Sequence, residues 1–277
     1  MKKLTALLLS AILLLCAGGC AAAGPAPDAG PSAGPDASTT SGDLPQEPPA
    51  DVTCAEAVYW HMKIVQVEAD SVLVVNTEDG EGPGLSRMTV RDEAIYRVGE
   101  QGTLAFDALK PGMRLEVIGG PVAESYPAQF EASAVGILED GDDLVGLYQQ
   151  VIRELWEAET GLNRGVKLLG LDFADAGLPA QEREALEYLT GQALGLPYVT
   201  GTWHELTDQG YIDHNRQRWE DGVLLSVWTR DAIDGEAFHF GVGKHRADLA
   251  AIVDGNCRAE KGEDGVWSYT MGNYIFS

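Results

Sequence analysis

Five histidines and four cysteines are the side chains best able to hold a metal or attack a substrate, so their spacing is the first test of chemistry. His204-Glu205 opens like the H-E-x-x-H motif, but the position four after His204 is Asp208. A zinc protease needs two histidines one turn apart on one helix face. Thr202-Trp203-His204-Glu205 instead has the form of a capping box, opening a short helix that Gly210 stops. His239 and His245 are six apart, and a continuous strand would put both on one face. Gly241 and Gly243 lie between them and leave that register open. A shared metal and a solvated or hydrogen-bonded pair are the two readings. The cysteines form no CxxC and no Cys/His cluster with zinc spacing. Acid–base work needs two carboxylates across a substrate with their pKa values pushed apart. The pairs present (Glu220-Asp221, Glu139 with Asp142 and Asp143, Glu263-Asp264) sit in turn-like, Gly-rich sequence, where solvated acids are normal. No G-x-S-x-G elbow and no Walker loop occurs, and no G-x-G-x-x-G follows a strand. These residues imply no metal, no cofactor and no catalytic set. A binding role ranks ahead of an enzymatic one, with an envelope hydrolase acting on glycan or peptide as the alternative.

The elements that must position these residues fall into two groups. From 52 to 139, short β-like runs alternate with Gly-rich turns: Val58 to Val67, Val72 to Val75, Ser86 to Arg91, Ile95 to Val98, Arg114 to Ile118 and Ala132 to Leu138. Five or six such strands in so short a unit predict a small barrel. Trp60 and His61 are neighbours on the first strand and must face opposite sides. From 142 to 277, Leu144, Leu147, Tyr148, Val151, Ile152, Leu155 and Trp156 repeat at helical spacing and form one apolar face. A strand is predicted over Val166 to Phe173 and a second helix over Pro179 to Leu194, with Gly195 past its end. Further strands follow near Gly222 to Thr229, Phe238 to Val242, Asn256 to Glu260 and Val266 to Met271. Helices first and strands later predict a separate α+β domain. Trp203, Trp219, Trp228 and Trp267 are read either as core or as the lining of a sugar-binding groove. The candidate ligand-binding residues are Trp60, His61, Tyr126, Trp203, His239 and His245.

Before both units the chain has a different character. Met1-Lys2-Lys3 precedes an apolar run from Leu4 to Cys16, then Ala17, Gly18, Gly19 and Cys20. A positive start, an apolar stretch of this length and small residues before a break describe a secretory signal, residues 1–19. Residues 20–50 are dominated by Ala, Gly, Pro, Ser and Asp and are disordered by composition, a tether stiffened by its prolines. The net charge of −24 repels phosphate backbones and anionic membrane surfaces, which excludes nucleic acid as a partner. Outside the cytoplasm a Cys54–Cys257 disulfide is permitted; two unpaired buried thiols are the other reading.

Seven stretches carry resemblances to three known families. Ala17-Gly18-Gly19-Cys20 resembles the lipobox of bacterial lipoproteins, with Ala17 where that family usually has Leu. The resemblance implies diacylglyceryl transfer to Cys20, cleavage before it and further acylation, so that Cys20 anchors the protein in the cell membrane on its extracytoplasmic face. Ordinary signal-peptidase cleavage or an uncleaved anchor are the alternatives. "FDALKPGMRLEV" and "ESYPAQFEASAVGIL" resemble the small OB-like barrel domain of unknown function found in Gram-positive lipoproteins. "LYQQVIRELWEAETGLN", "HELTDQGYI", "WEDGVLLSV" and "GVWSYTMGNYIFS" resemble a C-terminal domain of uncharacterised Gram-positive envelope proteins. These resemblances imply company and folds but no catalytic residues. The partners expected are the membrane, through Cys20, and an unknown protein or envelope ligand. A sensor or regulatory subunit of a membrane complex is a further alternative.

Overall fold

The computed structural model describes residues 58–78, 82–233 and 235–277. The expected signal peptide, the tether, Cys20 and Cys54 lie outside the described residues.

Strand β1 (Val58–Val67) turns Trp60, Met62 and Ile64 inward and leaves Tyr59 and His61 exposed, so the predicted opposition of Trp60 and His61 is present. β1 pairs antiparallel with β2 (Val72–Asn76) and with β5 (Arg114–Gly119). β2 pairs with β3 (Ser86–Thr89), β3 runs parallel to β6 (Ala128–Glu139), and β6 pairs antiparallel with β5. Five strands therefore close in the order β1-β2-β3-β6-β5, and short β4 (Ile95–Arg97) adds to the side of β6. Closure removes the unpaired edges that an open sheet of this size would expose. Met62, Ile64, Val72, Val74, Met88, Leu115, Val117, Val135 and Ile137 fill the interior.

The second sheet has the order β12-β11-β10-β9-β7-β8, with β13 on β11. Its strands are β7 (Leu168–Asp172), β8 (Tyr198–Thr200), β9 (Gly222–Thr229), β10 (Ala237–Ala247), β11 (Ala250–Lys261), β12 (Trp267–Thr270) and β13 (Ile275–Phe276). β8, β7 and β9 are parallel; the other pairs are antiparallel. Helices α1 (Leu144–Glu157) and α2 (Ala180–Leu194) bury their apolar stripes in one core with Phe238, Phe240 and Val242. Asp143 caps α1 by accepting from Gly146 N–H, and the predicted Thr202–Glu205 capping box opens α3 (Trp203–Asp208).

Two differences from expectation have a physical cause. The described residues are mostly β, with 41% of the chain in strands and 21% helical, because β10 runs through Gly241 and Gly243, which leave the register open in the sequence, and β11 begins at Ala250, ahead of the predicted Asn256. The barrel and the second sheet also share a core. Val65, Leu73, Val75 and Leu85 point out of the barrel into the cluster built on α1 and α2. Beside that seam Lys63 of β1 meets Glu182 of α2 at 2.8 Å, both nearly buried.

Candidate functional site

Strand β10 sends Lys244 and His245 to opposite faces of the second sheet. Lys244 is fully buried under α1. Its ammonium donates to the carbonyls of Trp156 (3.1 Å), Ala158 and Glu159 (3.3 Å) and to Asn163 Oδ1 (3.1 Å), and lies 5.8 Å from the Trp156 ring centroid. The last carbonyls of a helix have no partner within it, and a cation there is favoured by the helix dipole. Lys244 thus closes the end of α1. Burial lowers its pKa to about 8.

His245 faces the side that α1 and α2 do not cover. Its imidazole is half-buried and burial lowers its pKa, so the neutral ring is favoured. It has no hydrogen-bond partner among the described residues; its one recorded neighbour by ring contact is Trp203, with centroids 6.4 Å apart. Trp203 is held in place at the first position of α3, and its indole N–H donates to Gln217 Oε1 at 3.2 Å. Trp203, His245, Ala247, Ala251, Val253 and Ile275, with Asp248 and Ser277, line an open and largely apolar hollow of about 420 Å³. A half-buried imidazole that bonds no side chain among the described residues, at the edge of an apolar hollow, fits a ligand that brings its own donor or acceptor.

The same face continues along β10. A Cβ on Gly241 would fall inside the Trp228 ring, and one on Gly243 would meet Ser226 Oγ at 2.7 Å and His245 Nε2 at 2.9 Å. Both rings therefore lie down over backbone that carries no side chain. Trp219 does the same over Gly170 and Gly222, but Leu206 and Ile212 bury it. Arg230 reaches from the end of β9 to Gly255 O (2.9 Å) and Asn256 Oδ1 (3.2 Å) on β11.

Of the six candidate residues, the structure brings together Trp203 and His245. Trp60 is core, edge-on to Phe130 at 5.0 Å. His61 is exposed and pairs with Glu78 at 2.6 Å. Tyr126 packs edge-on to Tyr188 (5.6 Å) and bonds Glu184 (3.1 Å) beside α2, and burial raises its phenol pKa. His239 shares the His245 face but pairs with Asp231 at 2.7 Å. The glycines between the two histidines do not end the strand; a bulge between Phe240 and Val242 absorbs the irregularity. Among the described residues no group of three or more His, Cys, Asp or Glu side chains is placed to hold a metal ion, and no helix is long and apolar enough to cross a membrane. Cys257 is buried, 3.7 Å from Met271 Sδ, and burial pushes its thiol pKa up to about 12. Sequence reasoning missed Val253 and Ile275 as lining residues; the alternation of Ala251, Val253 and Gly255 across β11 is the signal that would have found the first.

Two other concavities differ in kind. One of about 530 Å³ lies where β7 and β8 end and holds Asp172, Glu184, Glu187 and Glu205 with Arg183. Burial, then Asp175 and Glu205, raises the Asp172 pKa. Glu205 is lowered because it accepts from Thr202 N–H and Oγ1–H in the capping box. The other, about 300 Å³, is the groove between α1 and α2, where Gln149 Nε2 and Thr190 Oγ1 have no partner.

The family model described as "Protein of unknown function (DUF3221)" matches residues 63–139, which are the barrel from the middle of β1 to the end of β6. Over that stretch the chain is similar to a family without an assigned activity. No curated protein and no solved structure matches the chain.

Proposed function

We propose that the protein is a lipid-anchored extracytoplasmic binding protein whose ligand site is the open sheet face around Trp203 and His245. The observation that carries the site is the neutral, half-buried His245 imidazole with no hydrogen-bond partner among the described residues, set beside a tryptophan in an apolar hollow. Binding is favoured over hydrolysis because the acidic concavity at the ends of β7 and β8 has one carboxylate, Glu205, held as a helix cap. The barrel's closing order, with β3 parallel to β6, supports an OB-like reading of the first unit. Its role here is a rigid base for the sheet, since its outward Val65, Leu73 and Val75 lie in the shared core.

The anchor rests on the sequence. Cys20 follows small residues after an apolar run, and the Pro-rich composition of the stretch behind it is that of a spacer. More than one acyl chain on Cys20 holds a protein stably where one is marginal. Two experiments test the proposal. Cys20→Ser should release the protein from membranes on fractionation; a mutant that stays bound contradicts the anchor. Full-length protein should bind a neutral apolar fluorophore such as N-phenyl-1-naphthylamine, and His245→Ala combined with Trp203→Ala should abolish that binding. Unchanged binding by a folded double variant contradicts the site.

A further inference from the structure

Of the five tryptophans of the second unit, Trp156 of α1 packs against the core, and the other four divide between the core and the opposite face of the sheet. Trp219 and Trp267 are buried, with 1% and 6% of their surface exposed. Trp203 and Trp228 are half-buried on the face that carries His245. The Trp228 ring occupies the space above Gly241, and His245 Nε2 the space above Gly243. Side chains two residues apart on a strand share a face, roughly 7 Å apart at 3.4 Å per residue. Trp203 then stands beside His245. Trp228, His245 and Trp203 thus form a row of three rings across β9, β10 and the start of α3. The first two lie close over the sheet because glycine leaves the room.

Polar groups border the row. Arg230 and Asn256 lie at its Trp228 end, Ser226 Oγ beside Gly243, and the unpaired His245 nitrogens within it. The Trp203 and His245 planes are tilted by 57°, so the row is twisted, and a twisted row of rings edged with donors and acceptors suits a ligand built of linked rings with apolar faces and polar rims. Pyranose sugars have that form, since axial C–H groups make one face apolar and hydroxyls make the edge polar. Charge narrows the class. At −24 overall the protein disfavours polyanions, so nucleic acids and anionic polymers are poor partners, and a neutral or basic glycan is complementary.

We propose that the Trp228–His245–Trp203 row is a stacking platform for a neutral or amino-sugar glycan chain. This rests on the open sheet face being the ligand site, and it names the ligand class. Full-length protein is titrated calorimetrically with chitohexaose, with N-acetylglucosamine as the single-ring control and N-phenyl-1-naphthylamine as a probe of the hollow alone. The hexamer should bind, and the monomer should bind at least tenfold more weakly because it covers one ring. Trp228→Ala should weaken the hexamer about tenfold, which is 1.4 kcal/mol, and leave the fluorophore untouched. Trp228→Phe, which keeps a flat ring, should restore most of the loss and guards against misfolding of the alanine variant. Fluorophore binding that depends on His245 with no hexamer binding overturns the glycan class and keeps the site. Hexamer binding indifferent to Trp228→Ala in a folded protein overturns the platform. Failure of both ligands overturns the site reading with it.

Discussion

Lys244 and His245 are consecutive residues of one strand, one buried and one half-exposed, and they are treated in opposite ways. The lysine has four acceptors arranged around its ammonium. The imidazole has none among the described residues. The difference follows from what covers each face. α1 and α2 bury the Lys244 side completely, so a charge there is tolerable only if the fold supplies its partners. On the His245 side α3 and the segment after it cover β7 and β9, and the hollow beside His245 is open, so a partner can arrive from outside. A buried group with every partner built in is architecture; a half-exposed ring that bonds no side chain among the described residues is free to take a ligand.

Lys63 extends the comparison and gives the largest expected effect. Its partner Glu182 is 6% exposed, so Lys63→Met should leave a carboxylate buried without a counter-charge and cost about 3–5 kcal/mol in urea unfolding. The pair Lys63→Met with Glu182→Leu should regain most of that loss; equal losses in the single and double variants would show that the ion pair is not the cause. Next, Lys244→Met should cost about 2–3 kcal/mol, because the carbonyls at the end of α1 lose their donor. A change below about 0.5 kcal/mol would remove it from the architectural side of the comparison.

Protons separate the two neighbours further. The pKa of Lys244 is about 8 when folded against 10.5 ordinarily. Between those values the unfolded chain binds more protons, so stability should rise with pH from about 8 to 10.5, and the rise should vanish in Lys244→Met. His245 is also lowered by burial, from 6.5. Its contribution to stability should be present above pH 6.5 and fall on acidification until the folded ring also protonates. The difference between the native protein and His245→Ala, measured by urea unfolding between pH 7.5 and 5, checks the sign; a contribution that grows on acidification would contradict it. The smallest effect is expected at His239. Its ion pair with Asp231 is exposed, so His239→Ala should leave both the unfolding midpoint and fluorophore binding unchanged.

Much of this arrangement is legible in the sequence. The strands Val58–Val67 and Gly222–Thr229 stand where apolar and β-branched residues cluster, and the seven-residue stripe of α1 packs as its spacing requires. What was hidden depends on neighbours distant in the chain. β8 and β13 are three and two residues long, too short for any periodicity, and exist because β7 and β11 offer them edges. Gly241 and Gly243 read as interruptions because the rings that lie over them, Trp228 and His245, occupy the place of their missing side chains. Lys244 carried no signal at all: its acceptors come from residues 156–163. His239 and His245 looked equivalent in sequence, and only Asp231 distinguishes them.

The most direct test measures His245→Ala and Lys244→Met side by side for unfolding free energy and for N-phenyl-1-naphthylamine binding. The account predicts that His245→Ala loses at least tenfold in affinity while its stability changes by about 1 kcal/mol or less. It predicts that Lys244→Met loses stability while its folded fraction binds as the native protein does. Unchanged binding in His245→Ala, or a binding loss in Lys244→Met equal to that of His245→Ala, would contradict the division of the sheet into an architectural face and a ligand face.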